Sequence, residues 1–206
     1  MPRTSVPRFL VCFVAVLAVL AAARPARTAA PAPPTCGDRA CHGALVKRDR
    51  AHSPVQDGDC GSCHRAVAGA SHPDSSRADF TLVKRGAALC ADCHDPFAGS
   101  SVHAPVEEGE CLACHDPHGS GRPALARREV NAMCFECHEA KSFAVHAVVG
   151  VDLGSGHPLS GPRDPARKSG AFSCASCHDP HATNTPHLWK FGATTTFDLC
   201  GHCHQK

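Results

Sequence analysis

Fifteen cysteines and sixteen histidines among 206 residues are the groups here that could do chemistry. Fourteen of the cysteines fall into seven pairs, and every pair is followed at once by His. Six pairs read C-x-x-C-H: Cys60, Cys63 and His64; Cys90, Cys93 and His94; Cys111, Cys114 and His115; Cys134, Cys137 and His138; Cys174, Cys177 and His178; Cys200, Cys203 and His204. The pair nearest the N-terminus is the longer C-x4-C-H of Cys36, Cys41 and His42. C-x-x-C-H is the attachment signature of c-type haem. Its two thiols form thioethers to the porphyrin vinyl groups, and the adjoining imidazole is set under the ring as proximal iron ligand.

Other chemistries use paired cysteines, and each leaves something unexplained. Structural zinc takes C-x-x-C pairs without requiring His directly after the second Cys. Thiol redox motifs occur once, in a βαβ setting, whereas here the motif recurs through a Gly/Pro-rich chain. Disulfides suit an even number of cysteines but assign no task to the histidines. At this histidine content, chance places His after all seven pairs with a probability on the order of 10⁻⁸. For Cys36 and Cys41 the longer loop also admits a disulfide with His42 as a bystander. The expectation is seven covalently attached haems, six on short motifs and one on the Cys36/Cys41 motif.

Seven proximal histidines leave nine others. His52 and His103 each stand eight residues before a motif, as H-x-P-V, and His118 and His181 each close a C-H-D-P-H phrase. His157 opens the last third of the chain and His72 lies between the first two short motifs. These six are expected as second axial ligands, each for a haem near it in sequence. His52 is assigned to the Cys60 haem, His103 to Cys111, His157 to Cys174, His72 to Cys90, His118 to Cys134 and His181 to Cys200. No His precedes Cys36, so its haem takes a ligand from downstream or from another molecule. His146 is the choice, His187 the reserve, and His202, inside a haem-binding loop, the least suitable. Met1 leaves with the expected export signal and Met133 abuts a haem-bearing Cys, so Met ligation is not expected. Bis-His coordination without Met implies low reduction potentials.

The elements that hold these groups must be short. Seventeen Gly and seventeen Pro break long helices and strands, and with 5% aromatics and no Tyr there is little to fill a conventional core. Phe9 to Ala23, after Arg3 and Arg8, reads as a secretory signal over residues 1–23, with a small-residue cleavage site at Ala21–Ala23. Its apolar run of about 15 residues is short of the roughly 20 a membrane span needs, and no second such run follows. Residues 24–35 are a Pro/Ala-rich leader. Removing the signal takes two Arg from a formal charge of +2, leaving zero. Each ferric haem adds roughly −1 with both propionates ionised, so the holoprotein is net acidic. A nucleic-acid partner is not expected.

The about 183 residues after the signal give roughly 26 per haem, too few for seven separate pockets. The macrocycles must therefore pack on one another inside a thin wrapping, mostly irregular with short α-helices and little or no β-sheet. Internal repetition fits this economy. Ala51–His64 (AHSPVQDGDCGSCH) matches Val102–His115 (VHAPVEEGECLACH) almost position for position, and a looser copy begins at Gly156. The heptahaem domain, 36–206, divides into a leading haem at 36–50 and two-haem units at 51–98, 102–140 and 156–206. Leu89, Met133 and Leu199, each just before a second motif, are expected on short helices.

These residues resemble the multihaem cytochromes c with doubled C-x-x-C-H motifs, relatives of the small class III tetrahaem cytochromes. The resemblance covers residues 36–206, and CHDPHG (Cys114 to Gly119) is its most specific mark. Class III proteins also mix C-x-x-C-H with C-x4-C-H, and a His soon after the proximal one often ligates the next haem. The chain departs from the pattern at Cys93–Phe97 (CHDPF), where Phe97 replaces the expected His, and in the long His157 to Cys174 gap. The resemblance implies an electron carrier of anaerobic respiration in the bacterial periplasm or outside the cell. The implied partners are donor and acceptor proteins: a membrane quinol dehydrogenase, other multihaem cytochromes or an outer-membrane conduit. Two other classes stand beside it. A haem reductase of nitrite, hydroxylamine or a sulfur oxyanion needs one open iron, and the spare histidines suffice to close all seven. A filament needs the leading haem to be ligated by a neighbouring copy, a form of self-association.

Overall fold

Proline and glycine cut the chain into elements of two to six residues. The computed structural model describes residues 36, 41–69, 72, 79–139 and 157–204, and the expected signal, the leader and His146 lie outside them. The described helices are α1 (Gly43–Val46), α2 (Ser53–Gln56), α3 (Ala87–Cys90), α4 (Ala104–Glu107), α5 (Val130–Phe135), α6 (Cys174–Cys177) and α7 (Thr196–Gly201). Leu89, Met133 and Leu199 sit on α3, α5 and α7, directly ahead of the second motifs, as their apolar character predicts. Proline in the first turn of α2 and α4 costs no helical hydrogen bond and presets the backbone. Thr195 and Asp198 cap α7 reciprocally.

Among the described residues, sheet is confined to three antiparallel pairs, in keeping with a mostly irregular, haem-packed fold. β1 (Arg50–Ala51) pairs with β5 (Gly119–Ser120), in the register Arg50 to Ser120 and Ala51 to Gly119. β4 (Ser101–Val102) pairs with β6 (Ala182–Thr183), Ser101 to Thr183 and Val102 to Ala182. These two pairs are the same contact one repeat apart: the segment opening one unit lies on the segment after C-H-D-P-H of the next. β2 (His64–Ala66) pairs with β3 (Phe80–Leu82) inside the first unit.

Glycine is required at these crossings. Gly119 has φ +124°, and a Cβ there would stand 2.6 Å from the Arg50 carbonyl oxygen. Gly99 is pressed against the Thr183 backbone, where a Cβ would run into the carbonyl.

What is missing is an ordinary core. Among the described residues only Ala126 and Ala193 are buried apolar side chains, while Val67, Phe80, Leu82, Phe97, Leu112, Phe191 and Phe197 are exposed. Side chains of that size left uncovered along a whole chain need a large apolar group to cover them.

Candidate haem-binding sites

Each short motif folds into one helical turn. The N–H of His94, His115, His138, His178 and His204 donates to the carbonyl of the first Cys of its motif, at 2.9–3.0 Å. That closure brings both sulfurs and the imidazole to one side of a single turn. None of the fourteen cysteines is in a disulfide. Cys36 and Cys41 are both exposed and unbridged. Among the described residues no three of His, Cys, Asp and Glu converge as a metal-binding cluster.

The motifs follow one another in space in chain order. The Cys60 thiol is desolvated and hydrogen-bonded with that of Cys36, which pushes its pKa up. Burial likewise raises Cys90, with Cys111 beside it and Cys63 close enough to add repulsion. Cys114 is raised by burial and by Cys137, and Cys177 by burial and by Cys203. Cys134 and Cys174 share a hydrogen bond that holds the first up and the second down, to about 7. Each motif therefore has a cysteine close to one of the next motif along the chain.

Histidines meet in pairs, each joining a motif imidazole to one from elsewhere. Ring centroids are 5.9 Å apart for His42–His72, His52–His94, His64–His118 and His115–His181, 6.1 Å for His103–His138 and 6.2 Å for His157–His204. Interplanar angles are 7–23° in the first five and 90° in the last. Direct ring stacking would be much closer. Two imidazoles bound end-on to one metal, with about 2 Å of bond and about 1 Å from nitrogen to ring centre on each side, give about 6 Å. The chain therefore fits haem on three independent counts: the closed motif turns, the histidine spacing and the uncovered apolar side chains.

The six expected second-ligand histidines all face a motif histidine, but none faces the one assigned from sequence. His52 faces His94 instead of His64, His103 faces His138 instead of His115, and His157 faces His204 instead of His178. His118 faces His64 instead of His138, and His181 faces His115 instead of His204. His72 faces His42 instead of His94, taking the place given to His146 or His187. One rule covers them. A unit's opening His reaches forward to the second motif of its own unit. The His after its first motif reaches back to the preceding unit, or to the leading motif.

The C-H-D-P-H phrase explains the backward reach. Asp116 Oδ1 accepts the His118 amide at 3.0 Å, and Asp179 Oδ1 accepts the His181 amide at 3.0 Å, with Pro between them fixing φ. Burial raises the Asp116 carboxyl, but the His118 amide and the Arg48 guanidinium, 2.7 Å away, outweigh it and hold it below the usual range. The proline carbonyl then serves the previous unit: Pro117 O accepts from His52 Nδ1 at 3.1 Å, and Pro180 O from His103 Nδ1 at 2.9 Å. The second and third units thus each bring a histidine to one motif of the preceding unit and orient the histidine facing its other motif.

Several positioning groups carried no signal in the sequence. Ala124 and His187 adopt left-handed φ, 53° and 55°, and their carbonyls accept from His115 Nδ1 and His178 Nδ1 at 2.7 Å. Such strain in non-glycine residues needs a compensating contact, here the orientation of an imidazole. Phe97, the residue standing where His was expected, stacks on His181 at 4.2 Å and 4°. Burial holds His181 below its ordinary pKa, favouring the unprotonated nitrogen that a metal ligand needs. Asn131 on α5 accepts the Cys174 amide and donates to the Leu159 carbonyl, tying the second unit to the third.

The model of the doubled CXXCH motif family matches residues 52–99, 103–143 and 165–206. A curated relative, the multiheme cytochrome MtrA of Shewanella baltica (strain OS185), is 34% identical over 176 residues, covering 81% of this chain and 47% of the relative. The chain thus spans about half the length of the relative it matches. No solved structure matches. Among the described residues no helix is long and apolar enough to cross a membrane.

Proposed function

Because the chain belongs to the doubled CXXCH motif family of multihaem c-type cytochromes, we propose that it is an exported electron carrier holding seven haems in a row, each closed by two histidines. The observation that carries this reading is the set of six His–His pairs at 5.9–6.2 Å along motifs that touch in chain order. Haem c, held by these cysteines and histidines, would supply one-electron redox chemistry between ferric and ferrous iron. The chain's own residues would attach it, through two thioethers per site, and backbone carbonyls orient His52, His103, His115, His157 and His178.

The proximal ligands are His42, His64, His94, His115, His138, His178 and His204. The distal ligands, in the same order, are His72, His118, His52, His181, His103, His146 and His157. His146 falls to the Cys174 haem by elimination. His187 turns its carbonyl to His178 and its ring to Trp189, and His202 stacks on Phe191 at 4.3 Å. With His72 on the leading haem, no neighbouring copy is needed there, and the filament reading loses its motive.

The proposed setting is the periplasm or the cell exterior, with other redox proteins as donor and acceptor. The Shewanella baltica relative, a multiheme cytochrome, agrees with this class of role. The test is an electron paramagnetic resonance spectrum of the oxidised holoprotein beside a CO titration of the reduced form. Low-spin signals alone, with no CO uptake, support a closed carrier. A high-spin signal of one haem equivalent with matching CO uptake would refute it in favour of a haem reductase.

A further inference from the structure

We propose that Asp79 is a positioning residue that sets the haem on Cys36 and Cys41 as the lowest-potential site of the row. This rests on the seven-haem, bis-His reading above. Asp79 Oδ2 lies 3.1 Å from His72 Nδ1, and the Phe80 ring meets the same imidazole edge-on at 5.2 Å. The carboxylate is 8% exposed, its Oδ1 is buried without a hydrogen-bond partner, and among the described residues no Lys or Arg pairs with it.

Among the described residues no other facing histidine meets a buried carboxylate at hydrogen-bond distance. Nδ1 of His52, His103, His157, His115 and His178 donates to a neutral backbone carbonyl. Asp116 and Asp179 stand farther from Nδ1 of His118 and His181, at 3.7 and 3.5 Å. Both are more exposed, and each is already engaged by a backbone amide.

A carboxylate on the outer nitrogen of a metal-bound imidazole fixes its tautomer and makes it a stronger donor. A full negative charge in a site of low dielectric does this more strongly than a carbonyl dipole. Both effects favour the ferric state, so the potential of that site falls. Among the described residues the Cys36 thiol is hydrogen-bonded with that of Cys60, in the next motif, and the site lies at the N-terminal end of the row. The low potential therefore falls at a terminus, and it gives the row a direction.

The test is a spectroelectrochemical titration of the holoprotein and its variants, with haem count and low-spin state checked by mass and by paramagnetic resonance. Asp79→Asn preserves shape and removes charge, and is expected to raise the lowest of the seven potentials while the other six stay in place. Asp79→Glu restores the charge and is expected to keep that potential near the wild-type value. Cys36→Ala/Cys41→Ala, lacking the leading haem, is expected to lose the lowest wave. Unchanged potentials in Asp79→Asn, an equal rise in Asp79→Glu, or survival of the lowest wave without the leading haem would each overturn the proposal. His72→Ala tests the ligation beneath it. One high-spin iron there upholds the ligation whatever Asp79→Asn does, whereas none overturns both.

Discussion

His118→Ala opens the iron at Cys60, fifty-eight positions upstream, and leaves the nearer site at Cys134 closed. The His118 ring is 5.9 Å from His64 at 7°, and no other imidazole among the described residues faces His64. The variant keeps its fold because the His118 amide, not its ring, bonds Asp116, and because β5 pairs through backbone alone. One iron in seven loses a ligand, so about 14% of the haem becomes high-spin and takes up one CO per chain. The assay is CO titration of the reduced protein, read at the Soret band, in two backgrounds. In the full protein the substitution adds one CO site. In Cys60→Ala/Cys63→Ala, which lacks the first haem of its unit, the same substitution adds none, because two changes acting through one site are not additive. Uptake of one CO in that second background would refute the pairing rule and return His118 to another haem.

Gly119→Ala destabilises the contact between the first and second units by about 3 kcal/mol, from forbidden backbone and a collision with the Arg50 carbonyl. A thermal melt followed at a ligand-sensitive haem band reads the loss, and a midpoint within a degree of wild type would contradict it. Asp164 is fully buried; burial raises its carboxyl, but the Ser176 hydroxyl, the Ala166 amide and the Arg167 guanidinium outweigh that and lower it. A depressed carboxyl stabilises the fold above its unfolded value of about 4 and loses that contribution as pH falls through the folded value. The stability gap between wild type and Asp164→Asn, by denaturant melts, is therefore open at pH 7 and closes toward pH 3. His157 and His204 stand at 90°, so as ligands of one iron their π-donation would reach two different orbitals and leave them nearly degenerate. One highly anisotropic low-spin signal is expected beside the rhombic ones of the near-parallel pairs, and His157→Ala removes it.

The attachment sites were legible because they are local. Two thiols and an imidazole within five residues need only one helical turn, and Cys111–His115 closes it with a single hydrogen bond. The lack of a core, the short helices carrying Leu89, Met133 and Leu199, and the set of six facing histidines follow from composition and repetition in the same way. Asp79 and the strained Ala124 carbonyl were not legible, since each acts through a histidine reached by the fold and neither belongs to a motif; Phe97 stood out as a departure from C-H-D-P-H, but its stacking on His181 did not.

Sequence by itself picked out the attachment motifs and the histidines outside them. Tertiary structure decided which of those histidines faces which motif. The physical reason lies in the two faces of the site. A C-x-x-C-H turn occupies one face, so the opposite ligand must come from chain that has travelled round the edge. His52, eight residues before Cys60, is carried by α2 and by the Pro117 carbonyl toward His94. His64 is met by His118, brought back across β1 and β5 by the Asp116–Pro117 turn. Closeness in sequence puts a histidine on the wrong side of its own haem, and only packing one repeat on the next brings it to the right side of another.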